Sequence, residues 1–226
     1  MIKNVNYLFF IYGICINLQI GRDGEKGCMK IKHFFALCIG FVCLISCQQK
    51  TNPVSDFEYA ENEGKITITG YIGKSKDVVI PKKINNLPVT AIGNKAFIGV
   101  DESIDQPKSN QLSGVFIPDG VTEIGHLAFY GNELSSVIIP NTVTFIGDGA
   151  FSLNKLTGVV IPNSVTSIGH GAFASNQLTG VTISDSVTSI GMYAFINNQL
   201  TSVTIPKSVK ELANDAFDKG VQIIME

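Results

Sequence analysis

Leu156-Thr157-Gly158-Val159-Val160-Ile161-Pro162-Asn163-Ser164-Val165-Thr166-Ser167-Ile168-Gly169-His170-Gly171-Ala172-Phe173-Ala174-Ser175-Asn176-Gln177 is one turn of a repeat, and Leu178 begins the next. The unit reads L-x-x-V-x-I-P-x-x-V-T-x-I-G-x-x-A-F-x-x-N-x and spans 22 positions. A fixed period in this range marks a solenoid, each unit being one turn of a coil.

The columns hold in both directions from this turn. Leucine stands at Leu112, Leu134, Leu156, Leu178 and Leu200. Val-x-Ile stands at Val115/Ile117, Val137/Ile139, Val159/Ile161, Val181/Ile183 and Val203/Ile205. Proline follows at Pro118, Pro140, Pro162 and Pro206, with Ser184 the exception. Phenylalanine recurs at Phe129, Phe151, Phe173, Phe195 and Phe217, each after an alanine, and asparagine at Asn110, Asn132, Asn154, Asn176 and Asn198.

Each column carries a physical expectation. Val-x-Ile predicts a short strand with alternate side chains turned inward. Proline lacks an N–H and closes it. Strands of successive turns are expected side by side, ~4.8 Å apart, in one parallel sheet. The phenylalanines then form a stacked aromatic spine, and the asparagines hydrogen-bond turn backbone that is otherwise unsatisfied. Gly125, Gly147, Gly169 and Gly191 are expected at sharp bends. The fold class is therefore a mainly β, right-handed solenoid of about six coils with a parallel sheet on one face. No turn buries its apolar face alone, so stability is a sum over neighbours.

The V-T-x-I-G-x-x-A-F segment resembles the BspA-like class of bacterial leucine-rich repeats; other leucine-rich repeats lack it. The likeness covers roughly 56–226. It implies a cell-surface or secreted binding protein, since several proteins of the class are adhesins for host matrix proteins.

Composition narrows the function. The net charge is −2 overall, and from Cys47 onward there are 12 lysines, no arginine and 17 carboxylates. Such a chain is poorly suited to neutralising phosphates, so no nucleic acid is expected as partner. All five cysteines lie in the first 47 residues, so the repeats hold neither a disulfide nor a cysteine metal site.

Met29 to Ser46 reads as a signal peptide: a basic start, an apolar run from Phe34 to Ile45 too short to span a membrane, then Leu44-Ile45-Ser46-Cys47. That tetrapeptide resembles a lipobox, which implies acylation of Cys47 and attachment to the membrane through its lipid. Gln48 in place of aspartate is compatible, by analogy with enteric bacteria, with sorting to the outer membrane. Residues 1–28 read as an extension upstream of the true start. The competing reading is a membrane anchor, which would leave the lipobox in mid-chain. Residues 47–55 read as a polar tether.

The fold proper is expected to begin with a cap at 56–77, a hairpin of Phe57-x-Tyr59 and Ile66-x-Ile68 about a glycine turn. It would shield the edge of the first coil. The repeats occupy 78–217, and 218–226 reads as a C-terminal cap. Two insertions disturb the first coil: five extra residues before Val89 and ten before Leu112. The second, 98–111, carries Asp101, Glu102 and Asp105 and is expected as a surface loop, with binding one reading of it. Its acids lack the spacing of a calcium loop.

No nucleophile, base and acid can be assembled, so no enzyme is expected, and no cofactor. His126, Asp148 and His170 share one column, where two imidazoles flanking a carboxylate resemble metal ligands. The column continues as Met192 and Asn214, so it reads instead as solvent-facing, and no metal is expected. The candidate binding surface is the residue between the inward Val and Ile of each strand: Val79, Phe116, Ile138, Val160, Thr182 and Thr204. Four consecutive apolar positions there predict docking of a protein, host matrix or another surface protein, or of a second copy. Phe129, Phe151, Phe173, Phe195, Asn132, Asn154, Asn176 and Asn198 are the structural set. The leading function is protein recognition at the cell envelope, by adhesion or partner capture; the alternative is a glycan-binding or envelope-structural lipoprotein.

Overall fold

The computed structural model describes residues 6–11, 14–19, 51–101, 106–109 and 111–226. The segment 29–46 read as a signal peptide, Cys47, Glu102, Asp105 and Asn110 lie outside them. The chain divides into two compact units, 1–48 and 49–226. In the first, Asn6–Ile11 pairs antiparallel with Ile14–Gln19. Among the described residues no helix is long and apolar enough to cross a membrane.

The second unit is a β-solenoid of about seven turns. Its continuous sheet is not where the Val-x-Ile pattern placed it. Nine strands form one sheet through the T-x-I segments: Phe57–Asn62, Lys65–Tyr71, Leu87–Ile92, Glu123–Ile124, Phe145–Ile146, Ser167–Ile168, Ser189–Ile190 and Glu211–Leu212, with Lys83–Ile84 beside Leu87–Ile92. The register advances by one repeat at each step, Ile124 opposite Ile146, Ile146 opposite Ile168, Ile168 opposite Ile190. The Val-x-Ile side is instead broken into separate parallel pairs: Asp77–Val79 with Gly114–Phe116, Gly158–Val160 with Gly180–Thr182, and Ser202–Ile205 with Gln222–Met225. Among the described residues, 136–139 make no backbone hydrogen bond to either neighbouring coil.

The glycine column explains which side closes up. Gly125, Gly147, Gly169 and Gly191 do not have the left-handed backbone that a sharp bend would require. A β-carbon on Gly147 would lie 2.6 Å from the His126 backbone nitrogen, and one on Gly169 would lie 2.7 Å from that of Asp148. Glycine stands there because stacked backbones approach too closely for any side chain. Left-handed residues occupy a different column: Lys95, Leu127, Gly149, Gly171 and Tyr193, with φ of 55–61°. A second such column is Gly131, Leu153, Ser175 and Asn197.

Inside, the aromatic spine is continuous. Ring centroids of Phe129, Phe151, Phe173, Phe195 and Phe217 are 5.2–5.4 Å apart with interplanar angles of 3–10°. Phe97 stacks on Phe129 at 4.8 Å, and the stack runs on through Tyr71 to Phe57 in the cap. Asn154 accepts the Leu134 N–H through Oδ1 at 3.1 Å, and its Nδ2 donates to the carbonyls of Phe129 at 2.9 Å and Phe151 at 3.1 Å. Asn132, Asn176 and Asn198 repeat the arrangement.

The cap hairpin pairs Phe57–Asn62 with Lys65–Tyr71 about Glu63 and Gly64, both with positive φ. Lys65–Tyr71 then joins the sheet parallel to Leu87–Ile92. The tether expected through Ser55 is shorter. Asn52 exchanges hydrogen bonds with Val79, donating its N–H to the carbonyl at 3.2 Å and accepting through Oδ1 at 2.9 Å. A 3-10 turn over Val54–Asp56 leads into the hairpin.

Phe151 lies fully buried between two rings, so Phe151→Ala is expected to cost about 3–5 kcal/mol in urea unfolding. Leu153 is the reverse case: 47% exposed, with φ of 56°. A left-handed conformation costs a leucine ~1–2 kcal/mol, part of which glycine returns as unfolded-chain entropy. Leu153→Gly is therefore expected to stabilise by about 0.5–1 kcal/mol in the same measurement. An unchanged or lower midpoint would show that Leu153 contacts outweigh its backbone strain.

Candidate functional site

Two surfaces of the solenoid present side chains that the core does not use. The first is the outward column of the Val-x-Ile side. Phe116 is 36% exposed, Ile138 44% and Val160 65%; Val79 is half-buried, and Thr182 and Thr204 are exposed. Small residues flank the column at Gly114, Ser136, Gly158, Gly180 and Ser202, so nothing bulky shields it. The broken ladder passes through its centre. Phe116 belongs to one strand pair and Val160 to another, while Ile138 sits on the unpaired segment between them. An exposed apolar side chain thus sits on a segment without inter-coil backbone hydrogen bonds among the described residues.

The second surface is a groove along the continuous sheet, lined by Phe145, Asp148, Ser167, His170, Ser189, Met192 and Glu211 among others. Here the column Asn94, His126, Asp148, His170 has a role that the sequence reading missed. It is solvent-facing, but its side chains also work for the backbone. Asn94 Oδ1 accepts the N–H of His126 at 2.8 Å, and His126 Nδ1 accepts that of Asp148 at 3.0 Å. Asp148 Oδ1 accepts that of His170 at 2.8 Å, and His170 Nδ1 that of Met192 at 3.0 Å. Each side chain therefore caps the next coil. The imidazole Nδ1 atoms that face the neighbouring coil are occupied by backbone donors. Among the described residues no group of three His, Cys, Asp or Glu is placed to hold a metal.

Hydroxyl groups are spent the same way. Thr122, Thr144, Thr166 and Thr188 each donate to the carbonyl of the threonine one coil earlier, at 3.1–3.4 Å. Ser184, at the position proline usually fills, donates to the Pro162 carbonyl at 2.9 Å. None of these hydroxyls is held against a histidine, as a nucleophile would be. The Tyr71 hydroxyl is pushed above its ordinary range by burial first and by the Asp56 carboxylate second. It donates to the Ser75 carbonyl at 3.1 Å and holds the cap together.

The 98–111 insertion is not a plain loop. Ile98–Asp101 pairs antiparallel with Gln106–Ser109, giving a hairpin with Asp101 opposite Gln106. The insertion before Val89 likewise folds into a hairpin, Lys83–Ile84 against Leu87–Pro88, through Asn85 and Asn86 in left-handed conformation.

Comparison with known proteins adds the family. A profile of the BspA type leucine rich repeat region matches residues 90–223 in six copies. Among solved structures, the chain is similar to a leucine rich repeat protein of T. pallidum, with 30% identity and a TM-score of 0.60 over 77% of this chain and 86% of that one. It is also similar to a leucine rich cell surface protein of Faecalibacterium prausnitzii, with 27% identity and a TM-score of 0.54 over 78% and 55% of the two chains. Likeness to the pneumococcal vaccine antigen PcpA, at 24% identity and a TM-score of 0.58 over 76% and 48%, concerns the fold alone. Comparison with proteins of curated function finds no match. With six profile copies on the coils and a structural relative matched over most of its length, the chain belongs to the BspA type leucine-rich repeat family.

Proposed function

We propose that this protein is a non-catalytic, lipid-anchored surface protein that captures another protein through the Val-x-Ile side of its solenoid. Leucine-rich repeat solenoids are in general binding scaffolds rather than enzymes. The observation that carries the reading is the exposed strip of Phe116, Ile138 and Val160, since contiguous apolar surface on a folded chain usually marks an interface. The surface location draws on the resemblance of Leu44-Ile45-Ser46-Cys47 to a lipobox and on the cell surface relative from Faecalibacterium prausnitzii. The two together support a bacterial envelope site, in the outer membrane or at the cell surface. Adhesion to host matrix is the form of capture that the family resemblance favours.

Two experiments test this reading. Cys47→Ser is expected to leave the precursor uncleaved and without incorporated radiolabelled palmitate, whereas labelling of the variant at the wild-type level would remove the anchor. Separately, purified protein titrated with a panel of extracellular matrix proteins, and with itself, is expected to show saturable binding. Phe116→Ser with Ile138→Thr should weaken that binding at least about tenfold while changing stability by less than about 1 kcal/mol. Undiminished association by the folded variant would reduce the strip to an ordinary strand surface.

A further inference from the structure

The Val-x-Ile side is finished differently at its two ends. At the N-terminal end Asn52 covers the edge strand Asp77–Val79, donating its N–H to the Val79 carbonyl at 3.2 Å and accepting the Val79 N–H at 2.9 Å. At the other end Gln222–Met225 pairs with Ser202–Ile205 and, among the described residues, has no strand on its far edge. A bare edge strand is a template for pairing with another chain, and charge is the usual guard against it. The edge strand of the cap, Phe57–Asn62, carries Glu58 and Glu61. Gln222–Met225 carries no charge, and its Ile223, Ile224 and Met225 are 40%, 41% and 58% exposed.

The segment Gln222-Ile223-Ile224-Met225-Glu226 is complementary to itself. Gln222 donates its N–H to the Thr201 carbonyl at 2.9 Å, and Glu226 donates to that of Ile205 at 3.1 Å. Backbone groups alternate between the two edges of a strand, so the N–H and C=O of Ile223 and Met225 face the open edge. Side chains alternate between the faces. Ile223 stands opposite the buried Val203 and borders the end of the core with Leu212, Phe217 and Val221. Gln222 and Ile224 stand opposite the exposed Ser202 and Thr204. A second copy laid antiparallel, with Ile223 opposite Met225 of the second copy, brings the outward backbone groups together as bonding pairs. On the inner face isoleucine then meets methionine. On the outer face Ile224 meets its own copy on the axis, and the Gln222 amide meets the Glu226 carboxylate. From residue 207 to 226 three lysines stand against four carboxylate side chains, too even a balance for strong repulsion between copies.

We infer that this protein pairs with a second copy of itself through Gln222–Met225, the two strands joining antiparallel across a two-fold axis. Because Asn52 covers the opposite edge at Asp77–Val79, a strand has nothing to add to there, and the contact closes as a dimer instead of propagating. The axis runs perpendicular to the joined strands' face, so the outward columns of both copies lie on the same side. The surface is separate from Phe116, Ile138 and Val160, and the pairing needs no lipid on Cys47.

The test is sedimentation equilibrium of the full-length protein in density-matched detergent over a wide range of concentration. A reversible monomer–dimer equilibrium in the micromolar range is expected. Met225→Pro removes an N–H that faces the open edge and leaves the bonds to Ser202–Ile205 in place, so monomer alone is expected. Gln222→Glu sets a carboxylate against Glu226 on both sides of the axis and should weaken the dimer about fivefold; Gln222→Lys should strengthen it by about the same factor. Circular dichroism at concentrations where the wild type is monomeric checks that each variant folds. A wild type that stays monomeric overturns the inference, as do open-ended oligomers or a folded Met225→Pro that still dimerises. Gln222 variants that leave the affinity unchanged overturn it too, and they decide the matter even if Met225→Pro does not fold. Self-association lost in Phe116→Ser with Ile138→Thr but kept in Met225→Pro assigns it to the apolar strip and overturns it as well. Each of these outcomes leaves the lipid anchor and the capture of another protein standing.

Discussion

Everything in this fold depends on each coil lying close against the next along the continuous sheet and through the core. On the sheet side the glycine column enforces that spacing, because a β-carbon there would meet the preceding coil's backbone at 2.6–2.8 Å. In the interior the phenylalanine rings enforce it, lying nearly parallel at 5.2–5.4 Å. The two requirements agree because they are properties of one repeat length. A residue that violates either lifts two coils apart, and the loss falls on both neighbours. Stability is then a sum of nearly identical interfaces.

Polar groups obey the same geometry. Each turn carries backbone donors and acceptors into the interior, where a missing partner costs about 1–3 kcal/mol. Asparagine suits this role because it supplies both an acceptor and two donors on a short stem. Asn176 uses its oxygen for the Leu156 N–H and its amide for the carbonyls of Phe151 and Phe173, so one side chain binds two coils. Aspartate would lack the donors. At the last coil the need changes, and Asp218 accepts the N–H groups of Asn197 and Asn198 at 3.0 and 2.9 Å. The same economy places histidine, aspartate and threonine on the outside as caps for neighbouring backbone.

Much of this was legible in the sequence because inward columns repeat one residue type. The period, the burial of Phe129 to Phe195 and the asparagine ladder follow from strict columns, and the cap hairpin from alternation about a glycine turn. The position of the continuous sheet did not. Of the two apolar segments in each coil only Val-x-Ile alternates, whereas Val-T-x-Ile spaces its apolar residues by three, so alternation pointed to the segment that does not carry the continuous sheet. Glycine after the second segment was the available signal, read as a bend rather than as a close approach. Tyr71 and Phe57 escaped notice as the end of the spine because they stand outside the repeat. The caps made by His126 and Asp148 were hidden because residues of different chemistry perform one task there. The outward column is less legible for a related reason: its residues pack against nothing inside the chain that would fix their type.

The two exposed sides differ in what they can still offer to a partner. Along the continuous sheet, backbone groups are paired and side chains engage one another, as in the Ser189–Ser167 hydroxyl contact at 2.9 Å and the His126 ring edge on Phe145 at 5.9 Å. That surface has little left unsatisfied. On the Val-x-Ile side the ladder opens at 136–139, which form no inter-coil backbone hydrogen bond among the described residues and carry the exposed Ile138. An incoming polypeptide can satisfy both, placing apolar side chains on Phe116, Ile138 and Val160 and its own N–H and C=O groups near the open segment. A sugar could answer the backbone but would gain little from aliphatic neighbours without a flat aromatic platform. For the capture proposed above, the gap in the ladder, more than the apolar strip alone, would favour a protein over a glycan on that side.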